Sequence, residues 1–127
     1  MKMRIKGNSL RLRVSRSEVE RLLNQDRLEE TIHFAPEAAA ALIYALEPSP
    51  AVDAPTIRYS HNTVTVLIPA DQSRVWCTTD QVGIEKDIDL GRFGSLTLLI
   101  EKDFACLDRS DEENEDTFTN PSANPVC

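Results

Sequence analysis

Arg4-Ile-Lys-Gly-Asn-Ser-Leu-Arg-Leu-Arg-Val-Ser15 is the stretch on which the fold turns. Met3 and Ile5 alternate with Lys2, Arg4 and Lys6, and beyond Gly7-Asn8 the run Leu10, Leu12, Val14 alternates with Arg11 and Arg13. A period of two on both sides of a turn is a hairpin with one apolar and one basic face. Next, Ser15-Arg-Ser-Glu18 places a glutamate three residues after a serine, the pattern of a capping box, and Val19, Leu22 and Leu23 supply the apolar stripe of the short helix it starts. A third strand is expected from about Arg27 to Phe34 and a fourth from Leu42 to Glu47. Pro36-Glu-Ala-Ala-Ala-Ala-Leu42 argues against the fourth, since alanine favours helix and proline suits a first helical turn.

The chain itself decides for strand, because it repeats. An ungapped offset of 54 superimposes residues 1–47 on 55–101. Identities are few: Arg4/Arg58, Asn8/Asn62, Asp26/Asp80, Leu42/Leu96 and Glu47/Glu101. Apolar matches carry more weight, among them Ile5/Tyr59, Leu10/Val64, Leu12/Val66, Val14/Ile68, Leu22/Trp76, Leu28/Val82, Tyr44/Leu98 and Leu46/Ile100. The second copy reads as Thr56 to Ser60, a turn at His61-Asn62, Val64 to Ile68, a helix from near Pro69-Ala-Asp71 to about Cys77, Val82 to Asp89, and Ser95 to Glu101. Gly91-Arg-Phe-Gly94 offers residues that tolerate the positive φ of a tight hairpin loop. The expected architecture is thus α+β, a pseudo-two-fold β-barrel of two tandem strand-strand-helix-strand-strand units over residues 1–107. Residues 108–127 follow as an acidic tail.

At 127 residues the chain is one domain's worth, and 41% hydrophobic with 28% charged residues is an ordinary globular composition. Apolar runs such as Leu96 to Ile100 are too short for a bilayer, the first residues lack the apolar stretch of a signal peptide, and three widely spaced cysteines are no disulfide framework. A cytoplasmic chain, without a membrane and with reduced thiols, is the expectation. Net charge is −7, but residues 102–127 hold 7 acidic and 2 basic groups whereas the first sixteen residues hold six basic groups and no acidic one. An already paired repeat also removes the main reason to dimerise, so a monomer is expected.

The order strand, Gly-Asn-Ser turn, strand, short helix, strand, strand resembles the swapped-hairpin domains of the AbrB and MazE type, bacterial transcription regulators and antitoxins. Arg4 to Ser15 carries the likeness, and more loosely Asn62-Thr-Val-Thr-Val-Leu-Ile-Pro69. In that family two chains interlock into one domain, so this chain would be a single-chain duplication of it across residues 1–101. The whole chain is also similar to an uncharacterised family of small bacterial proteins, through Lys6 to Val19, Asp80-Gln-Val-Gly83, Glu101-Lys-Asp-Phe-Ala-Cys-Leu107 and Thr119-Asn-Pro121. That second likeness implies no mechanism.

Three binding functions fit these residues better than catalysis, for which no phosphate loop, nucleophile elbow or triad spacing exists. The foremost is a non-enzymatic regulatory protein with a protein partner; the antitoxin likeness implies an acidic tail that wraps a toxin. Nucleic-acid binding would use Lys2, Arg4, Lys6, Arg11, Arg13 and Arg16 on one ribbon face. Here the second copy departs, with Thr56, Ser60, Thr65, Leu67 and Ala70 where the first has bases, so a solvated face or pairing with the acidic tail is as good a reading. Metal binding, to zinc or iron, would centre on Cys106 and Cys127 with Glu101, Asp103 and the acidic run from Asp111 to Asp116 as oxygen donors. Cys-x-x-Cys spacing is lacking, no cofactor is required, and His33 and His61 are isolated.

Overall fold

The structure is a computed structural model that describes residues 1–105 and 110–121. Among the described residues there are eight strands and three short helices. The first half holds β1 (Lys2–Lys6), β2 (Ser9–Val14), α1 (Arg16–Leu23), β3 (Leu28–His33) and β4 (Ala41–Ser49). The second half holds β5 (Thr56–Ser60), β6 (Thr63–Pro69), α2 (Ala70–Thr78), β7 (Gly83–Asp89) and β8 (Ser95–Lys102), and α3 (Asp111–Asn114) lies beyond. Two four-stranded sheets result, ordered β1-β2-β8-β7 and β3-β4-β6-β5. Each sheet therefore takes its first hairpin from one half of the chain and its second from the other.

Register repeats along with order. Ser9 lies beside Thr97 in the parallel β2–β8 pair, and Thr63 lies beside Ile43 in the parallel β4–β6 pair, which is the same pairing shifted by the offset. The Asn8/Asn62 identity has a structural reason. The Asn8 carbonyl accepts from Thr97 N at 3.2 Å and the Asn62 carbonyl from Ile43 N at 2.9 Å. Their side-chain amides reach across the sheets to Ser95 O at 2.8 Å and Ala39 O at 3.2 Å. Both turn asparagines thus tie one half's first hairpin to the other half's second.

In the third strand the ungapped alignment fails. Leu28 pairs with Leu46 and Ile84 with Ile100, so the residue matching Leu28 is Ile84, two positions beyond Val82. Burial explains the shift: Leu28 and Ile84 are buried, whereas Val82 is 45% exposed. A slip of two keeps the side-chain face, and the shorter loop of the second hairpin absorbs it. The alanine-rich segment is a loop closed by Phe34 N donating to Ala40 O at 2.8 Å, and strand begins at Ala41, as the repeat requires against propensity. Strand partners on both sides of β4 supply the hydrogen bonds that outweigh alanine's helical bias.

The expected barrel is not closed. Both sheets are open, with β1 and β7 at the edges of one and β3 and β5 at the edges of the other. The Met1 ammonium, just ahead of β1, reaches Glu30 of β3 at 3.4 Å. Between the sheets lies one core, built from Leu10, Leu12, Val14, Leu28, Leu46, Val66, Ile68, Ile84, Leu98 and Ile100, with Val19 and Leu22 of α1 and Trp76 of α2 closing one end. Trp76 satisfies its indole N–H on Val82 O at 3.2 Å.

Candidate functional site

Cross-strand pairing sets the basic residues on one outer face. Lys2 lies beside Arg13, Arg4 beside Arg11 and Lys6 beside Ser9, and the rows continue onto β8 and β7 as Arg13–Glu101–Gly83, Arg11–Leu99–Glu85 and Ser9–Thr97–Asp87. The face grades from cationic at β1 to acidic at β7. Its middle is ion-paired: Glu101 accepts from Arg13 Nε at 3.0 Å and also binds the Arg11 guanidinium, while Lys2 Nζ lies 3.0 Å from Asp103. The carboxylates expected as metal ligands and three of the cations expected for nucleic acid are thus each other's partners. Arg4 and Lys6 make no ion pair among the described residues, and Arg16 bonds Asp116 O through its backbone N–H at 3.0 Å.

Cys106 and Cys127 lie outside the described residues, so their part in a metal site does too. Among the described residues no three histidine, cysteine or carboxylate side chains converge on a metal position. The described thiol, Cys77, is half-buried; burial pushes it above its ordinary pKa, against weaker opposing effects from Ser73 and the Lys102 charge.

The acidic segment folds back on its own domain, chiefly onto α1. Ser110 caps α3 by accepting from Glu113 N at 3.1 Å. Asp116 then reaches α1, where its carboxylate accepts from Ser17 N at 3.0 Å and Ser17 Oγ at 2.5 Å. Bonds from Ser17 hold the Asp116 carboxyl below the usual carboxylate range. Phe118 pairs by bridge with Phe104, their rings 5.9 Å apart, and Asn120 donates to Ala105 O at 2.9 Å. Lys102 is buried beneath them, its ammonium 5.5 Å from the Phe118 ring and donating to Thr79 O at 2.7 Å. Burial pulls the Lys102 pKa down. A cleft of about 500 Å³ sets Lys2 and Arg13 against Glu112, Glu113 and Glu115.

At the opposite end from the helices the two sheets part. An apolar cleft of about 210 Å³ opens there between Met3, Ile5 and Leu96 of one sheet and Leu42, Ile57 and Val64 of the other. Beside it, Ile5 is 65% and Tyr59 66% exposed, and Ile32 on β3 and Phe93 in the β7–β8 loop are exposed as well. The sequence pattern marks Ile5 and Tyr59 as inward-facing, which they are. What it does not reveal is that the interior stops short of them.

Fold and site define an α+β protein of two hairpin-exchanging open sheets, with one ion-paired face and one apolar end, and among the described residues no helix is long and apolar enough to cross a membrane. The chain belongs to a family of unknown function (DUF7009), whose model matches residues 1–122. That match takes in the docked segment as well as both halves. No curated protein and no solved structure matches the chain.

Proposed function

We propose that this chain is a non-enzymatic binding protein acting through protein–protein contacts, and that it makes them with the hairpin end of the two sheets. The observation that carries the reading is the apolar cleft with Ile5 and Tyr59 exposed at its side. A cluster of exposed large apolar side chains is what a protein interface requires and what an isolated monomer avoids. Matched strand order and register support reading the two halves as a single-chain duplication of a swapped-hairpin unit, as the AbrB and MazE resemblance implies.

An antitoxin-like role through the tail is less favoured, because residues 110–121 are engaged by α1, Phe104 and Ala105 of their own chain. Nucleic-acid binding through the ribbon is disfavoured by Glu101 and Asp103, which engage three of its six cations in ion pairs. Affinity capture from source-cell extract with the full chain, beside an Ile5→Glu/Tyr59→Glu variant, tests the proposal. Wild type is expected to retain a protein that the variant loses, with both forms equally folded by circular dichroism. Equal capture by both, or salt-sensitive binding of mixed DNA or RNA by the wild type, overturns it.

A further inference from the structure

We infer that the free edge of β1 is a strand-addition site for an extended acidic segment of a partner protein, one that alternates carboxylate with aliphatic side chains. This rests on the hairpin end being a protein-binding surface and names the partner's chemistry. Among the described residues strand β1 pairs with β2 alone, so its other edge has backbone groups with no strand partner there, and four of its five residues are exposed. Such an edge is a template for another extended chain.

The side chains of β1 divide two clefts. Met3 and Ile5 line the apolar cleft of about 210 Å³. Arg4 and Lys6 line a second cleft, about 230 Å³, on the outer face, with Arg11, Thr97 and the carboxylate of Glu85 among its other walls. A strand laid along β1 also alternates its side chains between these two sides. Cross-strand neighbours sit about 4.5–5.5 Å apart between Cβ atoms, which brings carboxylates to Arg4 and Lys6 and aliphatic groups to Ile5. Among the described residues those two cations, unlike Lys2, Arg11 and Arg13, have no carboxylate of their own.

Charge also discriminates among occupants. A second β1 would set Arg4 and Lys6 against like charges, which cross-strand pairing penalises. A second copy could offer the acidic outer side of β7, with Glu85, Asp87 and Asp89, but two chains of net charge −7 repel more than one chain and a short peptide. Nucleic acid would meet the cations and leave the apolar cleft unfilled.

Fluorescence anisotropy at low salt tests the inference, with a labelled peptide of about eight residues, an ordinary strand length, alternating glutamate and isoleucine. Saturable binding is expected, weakened roughly 10-fold or more, about 1.4 kcal/mol, by Arg4→Glu/Lys6→Glu and likewise by Ile5→Glu. Arg4→Lys retains binding, and so does Arg58→Glu, the matching cation on β5. Any of four results overturns the inference: a lysine–isoleucine or glutamate–serine peptide binding as tightly, indifference to β1 charge reversal, full competition by an oligonucleotide, or sedimentation showing that β1 joins copies of the chain. If the peptide fails while Ile5→Glu/Tyr59→Glu still abolishes capture of a partner, the acidic-strand inference falls and the protein-binding reading stands; loss of both discards the two together.

Discussion

The opening of the first half, β1–β2–α1, and the opening of the second, β5–β6–α2, share register and interior and differ in almost everything outside. Leu12 and Val66, Val14 and Ile68, and Leu22 and Trp76 hold matching buried positions. Outward, Arg11 and Arg13 of one correspond to Thr65 and Leu67 of the other, and Leu67 is buried on its side of the sheet. The helix starts diverge too. Both halves of the capping box form at α1, with Ser15 N donating to Glu18 at 3.0 Å and Glu18 N to Ser15 Oγ at 3.4 Å, whereas α2 starts after Pro69 with no side-chain cap. Interior residues specify the topology, leaving the exterior of each half free to differ: charge and tail docking at the first, a largely uncharged outer face at the second.

The largest effects should fall where the halves agree. Leu22→Ala is expected to cost about 2–5 kcal/mol and Trp76→Ala about 3–5 kcal/mol in urea unfolding, since each removes a fully buried side chain at the same place in the fold. A loss below about 1 kcal/mol at either position would break the equivalence of the two helices.

Truncation after Ala105 comes next. It removes the Phe104–Phe118 pair and the Asp116 bonds to Ser17, each worth about 1 kcal/mol, so the thermal midpoint should drop by roughly 5 °C or more. A midpoint equal to that of the full chain would mean that the tail rests on the first half without holding it.

Smaller effects sharpen the contrast between the helix starts. Ser15→Ala should cost about 1 kcal/mol, with no counterpart at α2. Acid should act on α1 as well. Burial pushes the Glu18 carboxyl up, but hydrogen bonds from the Met1 ammonium and Ser15 outweigh it and hold it below its ordinary value, and Asp116 is lowered by Ser17. Folded values below unfolded ones mean that this stabilisation is complete above the unfolded carboxylate range, near pH 4, and is lost as pH falls through the depressed folded values. Unfolding free energy should therefore fall on acidification, and Glu18→Gln should flatten that slope.

Least of all in stability, Glu101→Gln and the matching Glu47→Gln should each stay within about 1 kcal/mol of wild type, as partly exposed ion pairs do. They part in binding. Releasing Arg11 and Arg13 should raise low-salt retention of an oligonucleotide in a filter assay, while freeing Arg27 from Glu47, 3.5 Å away, should leave it unchanged. Equal retention would show that Glu101 does not restrain the basic face.

Most elements were legible because alternation and capping are local. The period of two from Met3 to Val14, the Ser15–Glu18 box and the internal offset placed β1, β2, α1, β5, β6 and α2 within a residue or two. The Leu28/Val82 match slipped by two within a correctly placed strand, since Val82 and Ile84 are alike in sequence and only their burial distinguishes them. Among site residues, the basic set on one face was legible from period two. Its engagement by Glu101 and Asp103 was not, because β2 and β8 lie about 90 residues apart in the chain and meet only through the exchanged hairpins.

Alternation and caps, each a property of neighbours in the chain, determined the order hairpin, helix, hairpin in each half, with a basic first ribbon and an acidic end. Tertiary structure alone decided that the sheets stay open, that the acidic end folds onto α1 and β8, and that Ile5 and Tyr59 lie outside the core they point toward. The physical reason is distance: edge closure, ion pairing across exchanged hairpins and the depth of the interior depend on groups far apart in sequence, whose meeting no local pattern encodes.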